Sequence, residues 1–197
     1  MYLYLLFIII FILIIRGDIK ENLIKMISPL SNSELKYNPK MWNRKEDDIQ
    51  KYNNCYAYAT NNLKRNRKKK PHPGYISGYN SGEKDYTCPT MNKYILQDYP
   101  SAYKIDFNTP CKCNYFKSYL TVDPNNDFHL YRQDSDGYWS HKPGSKEVTN
   151  LDASGNYIMN PEIADREYNK FNYKDSCMFF CMPHSEENKK ECNNKSV

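Results

Sequence analysis

Glycine and alanine are scarce in this chain of 197 residues, which has seven Gly against 19 Tyr and eight Phe. That balance excludes a core built mainly from small aliphatic side chains. Large, partly polar rings must fill it instead, burying area while keeping a hydroxyl near the surface. No two cysteines are spaced as CxxC, so the usual zinc-ribbon frameworks are missing. Beyond one leading segment there is no long apolar run. With 26% charged residues and a mean hydropathy of −0.87, the chain is neither a polytopic membrane protein nor a fully disordered one. There is no internal repeat. The formal charge is +5, but a basic surplus is absent from most of the chain. Arg16 to Lys70 holds 14 basic and 6 acidic residues, whereas Pro71 onward holds 14 basic and 17 acidic. A whole-domain nucleic-acid surface is therefore not expected.

The leading segment, Tyr2 to Ile15, is apolar or aromatic throughout. It is shorter than the roughly 20 residues an upright helix needs to cross a bilayer core, and its length fits a secretory hydrophobic region. It has no preceding Lys or Arg, and the boundary Ile-Ile-Arg-Gly-Asp lacks the small-x-small pattern of a signal-peptidase site. The expectation is entry into the secretory route, secreted or anchored in the membrane by a single pass. An anchor with the domain facing the cytosol, favoured by Arg16, Lys20 and Lys25, is the alternative. The organisation read from composition is a signal or anchor segment at 1–16, a polar linker at 17–36, one α+β domain at 37–184 and a flexible polar tail at 185–197.

Seven cysteines are present: Cys55, Cys88, Cys111, Cys113, Cys177, Cys181 and Cys192. If Cys55 stays free, six remain, enough for three disulfides in an oxidising compartment. Zinc held by Cys111, Cys113, Cys177 and Cys181 is the competing reading, with spacings that fit it poorly. No cofactor and no metal is called for. Asn194-Lys195-Ser196 is a formal glycosylation sequon near the C-terminus.

Asn53 and Asn54 can cap a helix running from Cys55 through Tyr56, Ala57, Tyr58 and Ala59 to Leu63. The basic run Lys64 to Lys70 follows, ending at Pro71-His72-Pro73-Gly74. It reads as a solvated helix end and loop, with an anion-binding or nuclear-localisation reading beside it. A second helix is predicted over Thr90 to Leu96 and a third near Pro161 to Tyr168. Strands are predicted at Ser118 to Val122, Phe128 to Gln133, Tyr138 to Lys142 and around Cys177 and Cys181, with an extended piece at Glu147 to Leu151.

Cysteine chemistry needs a thiolate, favoured at a helix start beside an imidazole, and Cys55 meets the first condition. Its other reading is a buried small hydrophobe or one end of a disulfide. Of the four histidines, His72 and His184 lie in loop or tail contexts, while His129 and His141 lie one in each arm of the predicted hairpin. A three-residue loop, Ser135-Asp136-Gly137, with Gly137 left-handed, pairs Asp134 with Tyr138 and His129 with Pro143. Both histidines then share one strand face; a loop of two or four residues would separate them. Asp152 is an alternative residue to orient His129, although a turn before Gly155 explains it as well.

A Cys at a helix start, a His in one strand, an Asp-Gly turn and a second His twelve residues on resembles the Cys-His-His arrangement of NlpC/P60-type papain-like cysteine hydrolases. The resemblance covers Asn53 to Leu63 and Phe128 to Lys142. It implies an α+β, papain-like fold with a Cys-bearing helix packed on a small antiparallel sheet, and cleavage of amide or peptide bonds. Cys55 would be the nucleophile, His129 the base and His141 its orienting partner, with a peptide or amide substrate. The family's Asp-Cys-Ser-Gly is replaced here by Asn54-Cys55-Tyr56-Ala57. The hairpin block also looks like a signature shared by uncharacterised proteins. The second functional expectation is a secreted or membrane-tethered, disulfide-stabilised binding module, including a catalytically degenerate hydrolase, in which the histidines are structural.

Overall fold

The computed structural model describes residues 27–79, 85–124, 126–186 and 189. The apolar segment, residues 17–26, Cys192 and the Asn194 sequon lie outside the described residues.

The architecture is α+β: a small antiparallel sheet with few helices. Short helices α1 (Pro39–Trp42), α2 (Ile49–Tyr52) and α3 (Cys55–Ala59) precede the longer α4 (Cys88–Asp98). The strands are β1 (Tyr103–Ile105), β2 (Tyr115–Asp123), β3 (Asp127–Gln133), β4 (Trp139–His141), β5 (Glu167–Tyr168), β6 (Phe171–Asn172) and β7 (Asp175–Pro183). Five of them form one sheet in the order β1-β7-β2-β3-β4, every neighbouring pair antiparallel, and β5 and β6 form a separate ribbon.

Helix α3 forms where expected because Asn54 caps it, its side chain accepting from the Ala57 amide. It stops at Ala59 rather than Leu63: Thr60 turns its hydroxyl back to the Tyr56 carbonyl, and Asn61 takes the left-handed conformation at φ 51°. The sheet is covered on both faces. Phe116, Leu120, Leu130 and Phe180 pack against Tyr56 of α3 and Met91 and Ile95 of α4. On the other face Tyr119, Tyr131, Trp139 and Phe179 pack with Phe107 and Ile158. Tyrosines thus fill the interior as the composition required, with Tyr56, Tyr58, Tyr119 and Tyr131 all essentially inaccessible.

The β3–β4 hairpin has the predicted register, with Gln133 opposite Trp139 and Tyr131 opposite His141. The Asp134 amide bonds the Tyr138 carbonyl, and Gly137 is left-handed at φ 90°. Two expectations fail. The stretch Pro161 to Tyr168 makes a single turn and then β5, because the Arg166 guanidinium is drawn to the Tyr119 hydroxyl and the Pro161 carbonyl, both at 2.8 Å. The described part of the expected linker is also packed onto the domain. Ser28 is fully buried with its hydroxyl on the Phe107 carbonyl, and Leu35 bridges to Asp134. Buried polar partners far along the chain hold this strap, and a local reading of Ser, Pro and Asn does not see them. Glu147 to Leu151 is extended but contributes only isolated bridges, from Thr149 to His141 and from Leu151 to Tyr157.

Candidate functional site

A cleft of about 520 Å³ opens where the start of α3, the start of β3 and the loop after β4 converge. Cys55 and His129 line it, with Phe128, Tyr86, Phe171 and Tyr173 supplying aromatic wall and Asn54 and Asp127 polar atoms. Its build begins with Asn54, which caps α3 with one side-chain atom and donates through the other to the Pro71 carbonyl at 2.8 Å. The same residue therefore fixes the helix start and the loop that follows the basic run.

The far wall depends on a lysine that the sequence reading did not single out. Lys142 is fully buried, and its ammonium donates to the carbonyls of Gln50, Gly144 and Lys146 at 2.7, 3.0 and 2.9 Å. All three of its donors are used, which holds the loop Pro143 to Lys146 in place. Burial pulls its pKa down to about 8. A Lys directly before Pro143-Gly144 was the only sequence signal. Tyr173, which donates to the Asp127 carboxylate at 2.8 Å, carried none. Burial holds the Asp127 carboxyl above its ordinary value.

The structure brings His129 and His141 together. His129 Nε2 lies 2.7 Å from His141 Nδ1, and His141 Nε2 lies 3.0 Å from the Leu151 carbonyl. A carbonyl only accepts, so His141 carries its proton on Nε2, accepts at Nδ1 from His129, and leaves Nδ1 as the acceptor of the His129 ring. Burial keeps both neutral, lowering His141 to about 4 and His129 well below its ordinary value, with the neighbouring imidazole adding to the effect on His129.

Cys55 is differently placed. It is buried and free, and its thiol donates to the Phe128 carbonyl at 3.9 Å rather than to an imidazole. Strand alternation explains this. Phe128 and Leu130 turn toward α3 and share its cluster with Cys55, while His129 turns the other way, its ring against Tyr131, His141 and Tyr173. Burial, with Asp127 nearby, pushes the thiol up to about 12, so it carries no thiolate at neutral pH. Asp152 does not reach His129. Its carboxylate accepts from the amides of Ser154, Asn156 and Asp165 and so anchors a turn.

Disulfides join Cys88 to Cys177 and Cys111 to Cys181, and Cys113 is disulfide-bonded as well. The competing zinc reading falls, since its cysteines are consumed. Among the described residues no cluster of His, Cys, Asp and Glu could hold a metal ion, and no helix is long and apolar enough to cross a membrane.

Fold and site together define a disulfide-tied α+β module with an aromatic cleft lined by Cys55 and by His129, behind which His141 is hydrogen-bonded. The chain is 38% identical over 136 residues to the insoluble matrix shell protein 1 of Ruditapes philippinarum, a match covering 66% of this chain and 81% of that protein. It belongs to the family of that shell protein. No family model matches the chain, and no solved structure matches it. The resemblance to NlpC/P60-type hydrolases is thereby overturned: the relative is a matrix protein, and no papain-like structure is matched. The motif covers only a helix start and one hairpin, and a Cys and two His so placed do not by themselves specify that family.

Proposed function

We propose that this protein is an extracellular, disulfide-stabilised structural and binding module of an insoluble matrix, with the cleft as its binding surface. In this reading Cys55 and His129 line that cleft, His141 supports His129 from behind, and none of the three has a catalytic part. The similarity to a shell matrix protein across 81% of that protein's length carries the reading. Disulfides linking β7 to α4 and to the Cys111 loop support it, since such bonds persist in oxidising compartments. The protonated thiol of Cys55 supports a binding role over nucleophilic chemistry.

The test is partition. The protein secreted from cultured cells, mixed with acid-demineralised mollusc shell matrix, is expected to stay in the pellet through washes with high salt and detergent. Full recovery in the supernatant, or equal retention on cellulose, overturns the reading.

A further inference from the structure

The basic run Lys64 to Lys70 has so far had no role, and its end reaches the cleft. Lys70 lines the cleft, and its Nζ lies 3.6 Å from where a Cβ on Gly144 would sit, so it bends over the far wall. Two shallower depressions adjoin. One meets the cleft at Ser145 and is lined by Lys45 and Lys51; the other meets it at Lys70 and His72 and continues to Lys69, Tyr75 and Tyr79. Along this path stand five exposed lysines: Lys45, Lys51, Lys69, Lys70 and Lys146. None forms an ion pair among the described residues.

The two carboxylates on the same path are already engaged. Asp48 pairs with Lys68 at 3.9 Å, and Asp127 accepts from Tyr173 and from the Phe128 amide. Five lysines against these two carboxylates leave the field along the groove positive, and low-dielectric walls focus it. Between the lysines the cleft is walled by the rings of Tyr86 and Phe171, with Phe171 stacked on the buried Tyr173 behind it. Charge at intervals with apolar faces between them suits a polymer whose repeating units carry both an anionic group and a face of C–H bonds.

An extended acidic peptide would add main-chain pairing at a free sheet edge. At β4 that edge is taken: Trp139 bonds Ile158, and His141 exchanges both its backbone bonds with Thr149. The opposite edge, β1, belongs to the other end of the sheet.

We infer that the groove through Lys51, Lys146, Lys70 and Lys69 binds a sulfated or carboxylated polysaccharide, whose sugar faces lie on the aromatic walls of the cleft. The inference rests on the matrix-module reading and names the polymer class its binding surface takes. The experiment is titration calorimetry of the full secreted chain at 0.15 M salt with a heparin octasaccharide, its fully desulfated form, and a polyaspartate of equal charge. The heparin fragment is expected to bind at least tenfold more tightly than polyaspartate, and its desulfated form, which keeps only the carboxylates, to bind more weakly than the fragment but more tightly than polyaspartate. The double substitution K70Q/K146Q is expected to weaken it about tenfold, and F171A several-fold. K104Q, on β1 at the far end of the sheet, should leave binding unchanged.

Equal binding of heparin fragment and polyaspartate, or tighter binding of polyaspartate, overturns the polysaccharide assignment. Equal loss in K104Q and K70Q/K146Q overturns the groove. A variant that fails to secrete is replaced by K69Q/K146Q, judged by the same criteria. Retention on shell matrix without heparin binding would leave the matrix-module reading standing and remove this one alone.

Discussion

At the β1–β7 end of the sheet, Cys177 and Cys181 leave the strand for Cys88 and Cys111; near the β3–β4 end, Cys55 is buried and unpaired. Strand β7 is packed on both faces, through Phe180 on one and Phe179 on the other, but its neighbour β1 is three residues long and β7 begins with exposed positions. Crosslinks closing separations of 89 and 70 residues tie β7 to α4 and to the Cys111 loop. The hairpin end is held by a buried polar network. Arg132 pairs with Asp134 at 2.8 Å with both side chains buried, and Tyr58 and Ser140 complete that network. Lys142 and the histidine pair are equally satisfied. One end is tied covalently and the other by a buried polar network, within which Gln133 Oε1 and Trp139 Nε1 have no hydrogen-bond partner among the described residues.

Breaking the staple should cost most. Replacing Cys88 and Cys177 together by Ser is expected to lower stability by about 4 kcal/mol in urea unfolding, from the freed loop entropy of the unfolded chain. A loss below 1 kcal/mol would mean that packing alone holds β7.

Acid should attack the opposite end. His141 has its pKa lowered from 6.5 to about 4 in the fold, so between those values the unfolded chain binds more protons. The His141 contribution is intact above pH 6.5 and is lost as pH falls to about 4, amounting to about 3 kcal/mol. Comparing the denaturant midpoint of wild type and H141Q across pH 4 to 7 isolates it, since the slope due to this residue disappears in the variant.

Asn54→Ala removes both the cap of α3 and the bond to the Pro71 carbonyl, and is expected to cost about 2 kcal/mol. Thermal unfolding measures it, and a cost near zero would show that neither bond matters. The smallest effect belongs to Cys55→Ala, at about 1 kcal/mol from the small void left at a buried site. In the folded, unreduced protein Cys55 should also resist iodoacetamide below pH 8, detected by peptide mapping. Ready alkylation there would restore a reactive thiol.

The hairpin was open to sequence reasoning because Asp134-Ser135-Asp136-Gly137 dictates a turn with one left-handed residue, and the turn then sets every pairing beyond it. The start of α3 was equally open, since Asn54 is a capping residue by its own side-chain chemistry. The meaning of Cys55 was not. Proximity of Cys55 and His129 at one cleft says nothing of which side of β3 each faces, and that depends on how α3 lies against the sheet. Lys142 was hidden because its three partners come from Gln50, Gly144 and Lys146, of which Gln50 is 92 residues away. The buried strap through Ser28 and Leu35 was hidden for the same reason.

By itself the sequence determined an aromatic core, a front-loaded positive charge, a capped helix start at Cys55 and a hairpin that sets His129 and His141 on one side. These follow from local chemistry and from the two-residue period of a strand. Only the tertiary structure decided which cysteines pair, that the Cys55 thiol bonds the Phe128 carbonyl rather than an imidazole, and that the basic run ends over an aromatic cleft. Each of those is a relation between segments far apart in the chain, set by how the helices and loops cover the two faces of one sheet.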